Sequence, residues 1–216
     1  MSPKARSQTV TWSSYLPESL RKLSLGRQVD ALEVTVSSNP VIRAILGRLP
    51  ALSLPAWYVG GGAIAQTVWN HLHGFTPTYG INDYDIVYFN SDDLTKTGED
   101  AAEATIAASI DVGTARLDVT NEARVHTWYE QRFGRPLSPY RSTEHAIATW
   151  PTTATSVGVR SDDNGFKVCA PFGLTDLFAM VVRPNVTLVS QATYEAKAER
   201  WRQIWPGLTV LPWPTG

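Results

Sequence analysis

Read from the N-terminus, apolar positions first recur at helical spacing. Val29, Leu32 and Val36, with Leu25 loosely in phase, define one face of an N-terminal helical region over residues 12–38. Asn39-Pro40 places an N-cap residue before a proline at the first helical position, predicting a short helix over about 40–48 with Val41, Ile45 and Leu49 on one side. After a connector at Leu52–Pro55 the period changes. Ala56-Trp57-Tyr58-Val59 reads as a short strand, and Gly60-Gly61-Gly62 breaks it. Ile64, Val68 and Leu72 then mark a helix from about Ala63 to Leu72, closed by Gly74. A second strand is predicted over Asp83–Phe89, an Ala-rich helix over 99–108, and a third strand over Ala115–Val119. Asn121 caps a helix running to about Phe133, stopped by Gly134 and Pro136.

In the C-terminal third, Ser142 caps a helix that ends before Pro151. Arms over about 154–160 and 166–170, joined through Asp162-Asp163-Asn164-Gly165, predict a hairpin. A helix is expected over about 175–182 and a last one over Tyr194–Trp205, with Tyr194, Ala198, Trp201 and Trp205 as its buried stripe. The pairs Trp150–Pro151, Trp205–Pro206 and Trp213–Pro214 read as aromatic caps over helix ends. Strand–helix–strand followed by further helices predicts an α/β or α+β core with a helical appendage. The expected organisation is a disordered tail at 1–11, an N-terminal helical region at 12–55, a core at 56–140, and C-terminal helices and a hairpin at 141–216 packed on that core.

Composition narrows the setting. Of 216 residues, 43% are apolar, enough for a real core, and the formal net charge of −1 supplies no global attraction to long nucleic acid or anionic membrane. A single cysteine, Cys169, forms no intramolecular disulfide and no Cys cluster for zinc, so a reducing, cytoplasmic setting is expected. No apolar run approaches the roughly 20 residues of a membrane span. The polar start lacks the apolar stretch of a signal peptide, so a soluble protein is expected.

The candidate chemistry lies in the middle of the chain. Strand side chains alternate, so Asp83 and Asp85 project from one face while Tyr84 and Ile86 face the other. Two adjacent carboxylates repel, and a divalent cation removes that penalty. Mg²⁺ prefers carboxylate oxygens and keeps waters and phosphate oxygens as its other ligands. Gly60, Gly61 and Gly62 allow close approach of a ligand to the backbone, and the helix start behind them offers free N–H groups to phosphate. Asp118, flanked by Leu117 and Val119, joins the same metal site if its strand pairs beside the second, and it is also a candidate base for an attacking hydroxyl. The bland alternatives are solvated acids before a strand, a tightly packed glycine turn and a strand-end aspartate capping the next helix.

The combination of Gly-Gly, a helix, a D-x-D strand and a third aspartate on a later strand resembles the polymerase-β-like nucleotidyltransferase superfamily. More specifically it is similar to a mostly bacterial nucleotidyltransferase-like family, through Tyr58 to Asn70, Ile81 to Asp85, Asn121 to His126 with Trp128-Tyr129, Ala170 to Leu174, Arg183-Pro184-Asn185, and Tyr194 to Trp201. The resemblance covers about Trp57 to Pro206. It implies an α+β fold, a mixed β-sheet flanked by helices with helical extensions at both ends. It also implies metal-dependent transfer of a nucleoside monophosphate from an NTP, and the near-neutral charge points to a small-molecule or protein hydroxyl as the acceptor. The expected catalytic and metal-binding residues are Asp83, Asp85 and Asp118, with Mg²⁺ or Mn²⁺. Gly60, Gly61, Gly62 and Arg124 are the expected nucleotide-binding residues.

Softer candidates are Thr152, Thr153, Thr155 and Ser156 near phosphate or sugar, or as strand-forming hydroxyls, and Lys197 and Arg200 near phosphate, or on a solvated helix face. Arg124 reads either as a triphosphate ligand or as one half of an ion pair. His71 and His73, two apart on a helix, share no face and make a poor metal pair. His126 and His145 read as structural or partner-facing. Three rival functions fit parts of the pattern. Gly60-x-Gly62-x-x-Ala65 matches a relaxed dinucleotide fingerprint of NAD(P)-binding oxidoreductases, although the acids precede the apolar part of their strand. The D-x-D also suits a glycosyltransferase using a nucleotide sugar. The third alternative is a non-catalytic nucleotide-binding or protein-interaction module on the same fold.

Overall fold

The computed structural model describes residues 17–20 and 22–215. The tail expected at 1–11, and the start of the helical region expected at 12–38, lie outside the described residues. The N-terminal region holds α1 (Pro17–Leu20), α2 (Leu25–Ser37) and α3 (Pro40–Arg48), followed by a 3-10 turn at Leu49–Leu52. Asn39 Oδ1 accepts from the Val41 and Ile42 amides at 3.0 and 3.4 Å, and Pro40 starts the helix. This is the arrangement its Asn-Pro pair predicts.

Five strands make the main sheet: β1 (Tyr58–Gly60), β2 (Asp83–Tyr88), β3 (Arg116–Asn121), β4 (Gly158–Asp162) and β5 (Gly165–Cys169), in the order β3-β2-β1-β4-β5. β1 lies at the centre, antiparallel to both β2 and β4, and β4–β5 is the expected hairpin. β2 and β3 run parallel, so α5 (Lys96–Ser109) must cross between them. The sheet is therefore mixed.

Register separates two kinds of chemistry. Val119, Ile86, Val59, Val159 and Val168 stand opposite one another across all five strands. This aliphatic row faces the main core, into which α2, α3, α4 (Gly62–His73) and α9 (Gln191–Ile204) pack. The next row, on the opposite face, reads Asp118, Asp85, Gly60, Gly158 and Cys169. A single pleat thus puts five apolar side chains inward and two carboxylates outward.

Between these elements come α6 (His126–Phe133), α7 (Thr143–Ile147) and α8 (Thr175–Phe178). Three local expectations change. The helix expected from Asn121 to Phe133 divides into a 3-10 turn at Glu122–Arg124 and α6, and Asn121 caps the turn as expected, its Oδ1 accepting from the Ala123 amide at 3.2 Å. Its Nδ2 donates to the Asn90 and Asp93 carbonyls, both at 2.9 Å. The helix expected over 175–182 stops at Phe178, because Met180 takes a left-handed φ of 54°. Val181–Val182 then forms β6, parallel to β7 (Thr209–Val210), a pairing that a Val-Val step before Arg183-Pro184 favours over helix.

α9 is locked onto α4 by aromatic packing and one buried hydrogen bond. Trp69 meets Trp201 and Trp205 edge-to-face, each at 5.6 Å between centroids. Trp205 Nε1 donates to Asn70 Oδ1 at 2.7 Å. Asn70 Nδ2 in turn donates to the Pro77 and Tyr79 carbonyls at 3.2 and 2.8 Å, holding the loop before β2. Asn70→Ala orphans a buried indole N–H and the Tyr79 carbonyl together, while the Pro77 carbonyl keeps its bond from Asn39 Nδ2 at 3.1 Å. It is expected to lower stability by about 2–4 kcal/mol, read as a lower urea midpoint at unchanged m-value.

Candidate active site

The site starts where β1 ends. Gly61 has φ 68°, left-handed, and a Cβ there would stand 2.9 Å from Asp85 Oδ2. Both facts require glycine at this position. A Cβ on Gly60 would meet the Trp150 ring at 2.7 Å, so the indole lies directly on the strand. Gly61 is also the N-cap of α4, and its own N–H donates to the Val157 carbonyl at 3.0 Å. The free N–H groups expected of the helix start therefore begin at Gly62, in the first turn of α4.

Asp85 stands between Gly60 and Asp118 in register, and Asp83 lies two residues earlier on the same face. Burial and then the neighbouring charges of Asp83 and Asp118 push the Asp85 carboxyl up to about 7, with Lys197 and Arg116 opposing the rise. Asp118 is on the edge strand, with 44% of its side chain exposed, and Arg116 Nη2 donates to its Oδ2 at 3.2 Å. Asp83, Asp85, Gly61 and Gly62 line a cleft of about 330 Å³, closed on its far side by Lys197 and Arg200 of α9. The two basic residues share this cleft with the acids, and the Lys197 charge acts on Asp85.

For a divalent ion, the donor set is all hard carboxylate oxygen, the chemistry of magnesium or manganese rather than of zinc or copper. No group of three or more His, Cys, Asp or Glu among the described residues is gathered tightly enough to hold an ion on its own. The acids fit a cation that takes its remaining ligands from phosphate and water, as magnesium usually does.

Arg124 is located elsewhere. Its Nη1 donates to Glu99 Oε1 at 2.8 Å and its Nε to the Leu94 carbonyl at 3.3 Å, in a nearly buried pair. Its guanidinium is committed to holding α5 against the end of β3, which corrects the expectation of a triphosphate ligand. Of the four hydroxyl candidates, Thr155 lines the cleft. Thr153 donates to Asp176 Oδ2 at 2.6 Å, and Ser156 donates to the Thr152 carbonyl at 2.9 Å. His73 is structural, with Nδ1 2.7 Å from the Trp69 carbonyl and Nε2 accepting from Gly207 N–H at 3.2 Å.

Glu122 is the residue that sequence reasoning passed over. It is buried in the cleft wall, hydrogen-bonded to the Trp150 side chain, and desolvation beside Asp85 and Glu99 raises it to about 8. An acid in the first turn after an Asn cap is ordinary, so only its burial distinguishes it.

A mixed sheet carrying paired aspartates beside a glycine-led helix start defines the polymerase-β-like nucleotidyltransferase fold. The chain belongs to a nucleotidyltransferase family, whose model matches residues 47–210. Among solved structures, it is similar to a CCA-adding enzyme head domain determined by NMR, at 20% identity and a TM-score of 0.68, over 90% of this chain and 100% of that one. It is also similar to the Thermotoga maritima CCA-adding enzyme complexed with tRNA, at 19% identity and a TM-score of 0.51, over 85% of this chain but 42% of that enzyme. No curated protein matches the sequence. The expected family and mixed α+β fold are thereby borne out. Among the described residues, no helix is long and apolar enough to cross a membrane.

A carboxyl whose pKa is raised by folding binds its proton more tightly folded than unfolded. Its effect is to lower stability as pH rises from its unfolded value towards its folded one. For Asp85 that window runs from 3.8 to about 7, and for Glu122 from 4.5 to about 8. With chelator present, the protein is expected to show a higher urea midpoint at pH 5.5 than at pH 8. Asp85→Asn should remove part of that difference, leaving the share due to Glu122.

Proposed function

We propose that this nucleotidyltransferase moves a nucleoside monophosphate from an NTP to a hydroxyl of a small-molecule or protein acceptor, with Mg²⁺ or Mn²⁺ bound at the acids. The observation that carries the reading is Asp85, half-buried in register with Asp118 and beside Asp83, its carboxylate close behind a glycine held at a left-handed φ of 68°. Such an arrangement is costly as bare charge and is relieved by a cation. Asp83 and Asp85 would hold the ion, with Asp118 completing the set. When bound, the ion neutralises triphosphate charge and eases ionisation of the acceptor hydroxyl.

The remaining chemistry belongs to the chain. N–H groups of the first α4 turn, from Gly62, receive the phosphate tail, and Lys197 and Arg200 balance its charge from the opposite wall. Asp118, on the edge strand with 44% of its side chain exposed, takes the proton from the acceptor hydroxyl. The acceptor oxygen bonds to the α-phosphorus as the bond from that phosphorus to the bridging oxygen breaks, and pyrophosphate leaves with the electron pair. The protein contributes position and charge complementarity rather than a covalent intermediate.

The near-neutral net charge favours a small-molecule or protein acceptor over a long polyanion. The cation-dependent reading also separates this function from a dehydrogenase, for which NAD(P)H would bind without metal.

Asp85→Asn is expected to reduce Mg²⁺-dependent pyrophosphate release by at least about 10³-fold, the scale of losing a transition-state charge contact. Thermal unfolding of the same variant at pH 8 should match or exceed wild type, since a half-buried charge is removed. Release that continues at the wild-type rate in this variant rules out the assignment.

A further inference from the structure

A second cavity, of about 480 Å³, opens directly off the acid cleft. The two share Thr120, Glu122, Trp150, Pro151 and Lys197 in their walls, so one ligand can extend from the acids into both. The second cavity is built differently. The acids Asp83 and Asp85 line only the first, whereas Trp128, Tyr129, Phe133 and Tyr140 contribute ring surface to the second, with Trp150 at the junction.

These rings are grouped. Tyr129 and Phe133 lie 4.6 Å apart between centroids, and Trp128 and Phe133 6.5 Å. The Arg132 guanidinium sits 5.8 Å from the Trp128 centroid and 5.5 Å from that of Phe133. Phe133 is nonetheless 51% exposed, although it belongs to this cluster. Hydroxyls of Thr149, Tyr140 and Tyr129 in this wall already have protein partners. Thr149 Oγ1 donates to the Ala146 carbonyl at 2.8 Å, so the 2.7 Å contact with Tyr140 must use the tyrosine proton. Arg135 Nη2 donates to Tyr129 Oη at 3.5 Å. What this wall presents to a ligand is chiefly aromatic surface, accompanied by the planar cation of Arg132.

Asp118, which receives the acceptor's proton in the function proposed above, lines neither cavity and stands on the exposed sheet edge. The acceptor therefore arrives from that edge, and the aromatic cavity is left for the nucleoside end of the donor. We infer that this cavity seats the nucleobase of the NTP by stacking against α6, and that it favours purines over pyrimidines. Stacking on aromatic faces accepts any base, and its preferences follow the strength of the stack rather than hydrogen-bond readout. The inference rests on the reading of the acid cleft as the triphosphate seat.

Calorimetric titration in the presence of Mg²⁺ with ATP, GTP, CTP, UTP and inorganic tripolyphosphate tests both levels. In wild type, ATP and GTP are expected to bind at least about tenfold more tightly than tripolyphosphate, the lower range for one base stacked on an aromatic ring, with CTP and UTP between. In Phe133→Ala, a half-exposed position that puts the fold at little risk, the ratio of ATP to tripolyphosphate affinity should shrink several-fold. Trp128→Leu should shrink it further. ATP binding no better than tripolyphosphate, or a ratio untouched in both variants, overturns the nucleobase cavity while leaving the acid cleft in place. Pyrimidine nucleotides binding as tightly as purines overturn the preference. A protein that binds none of the five overturns the triphosphate seat, and the cavity assignment with it.

Discussion

A half-buried carboxylate crowded by two others is the constraint around which this molecule is arranged. Asp85 cannot move away from Asp118, because parallel main-chain pairing fixes them side by side, and its carboxylate fills the space that a side chain at Gly61 would need. Its opposite neighbours in the pleat, Tyr84 and Ile86, are buried in the main core. Any slip of β2 by one residue would exchange acids and core residues across the sheet, which the core would oppose strongly. The site's electrostatic strain and the fold's hydrophobic stability are therefore two faces of one register.

The opposing charge depends on a second set of contacts. Lys197 and Arg200 lie on α9, a helix remote in sequence from the acids. Its position over the cleft follows from Trp201 and Trp205 packing on Trp69, and from the Trp205–Asn70 hydrogen bond. Asn70 also fixes the loop leading into β2. One buried amide thus couples the approach to the acidic strand with the helix that carries its counter-charges. Networks of this kind are sensitive because each partner is left unsatisfied if another is lost.

Much of this was legible in the sequence, but only where local rules decide. Asn39-Pro40 specifies its helix start by chemistry within four residues, and the D-x-D spacing alone places Asp83 and Asp85 on a common face. The glycine run signalled a close backbone approach, although its cause, Asp85 behind Gly61 and Trp150 on Gly60, lies in distant segments. The pairing of Asp118 with Asp85 depends on strand order, which periodicity does not encode. Arg124 was ambiguous because its partner, Glu99, is 25 residues away on another element. Glu122 looked like a routine helix-start acid until burial set it apart, and Lys197 looked solvated until α9 was folded over the cleft. Val181–Val182 read as helix because its strand partner, Thr209–Val210, follows a whole helix later.

The sheet register has a consequence for how such a protein diversifies. The acids are aligned by amide-to-carbonyl bonds, which most side-chain substitutions leave intact. The aromatic wall belongs to α6, outside that ladder, and Phe133 within it carries little of the packing burden. Descendants of this sequence can therefore drift at the wall while the spacing of the acids is inherited unaltered.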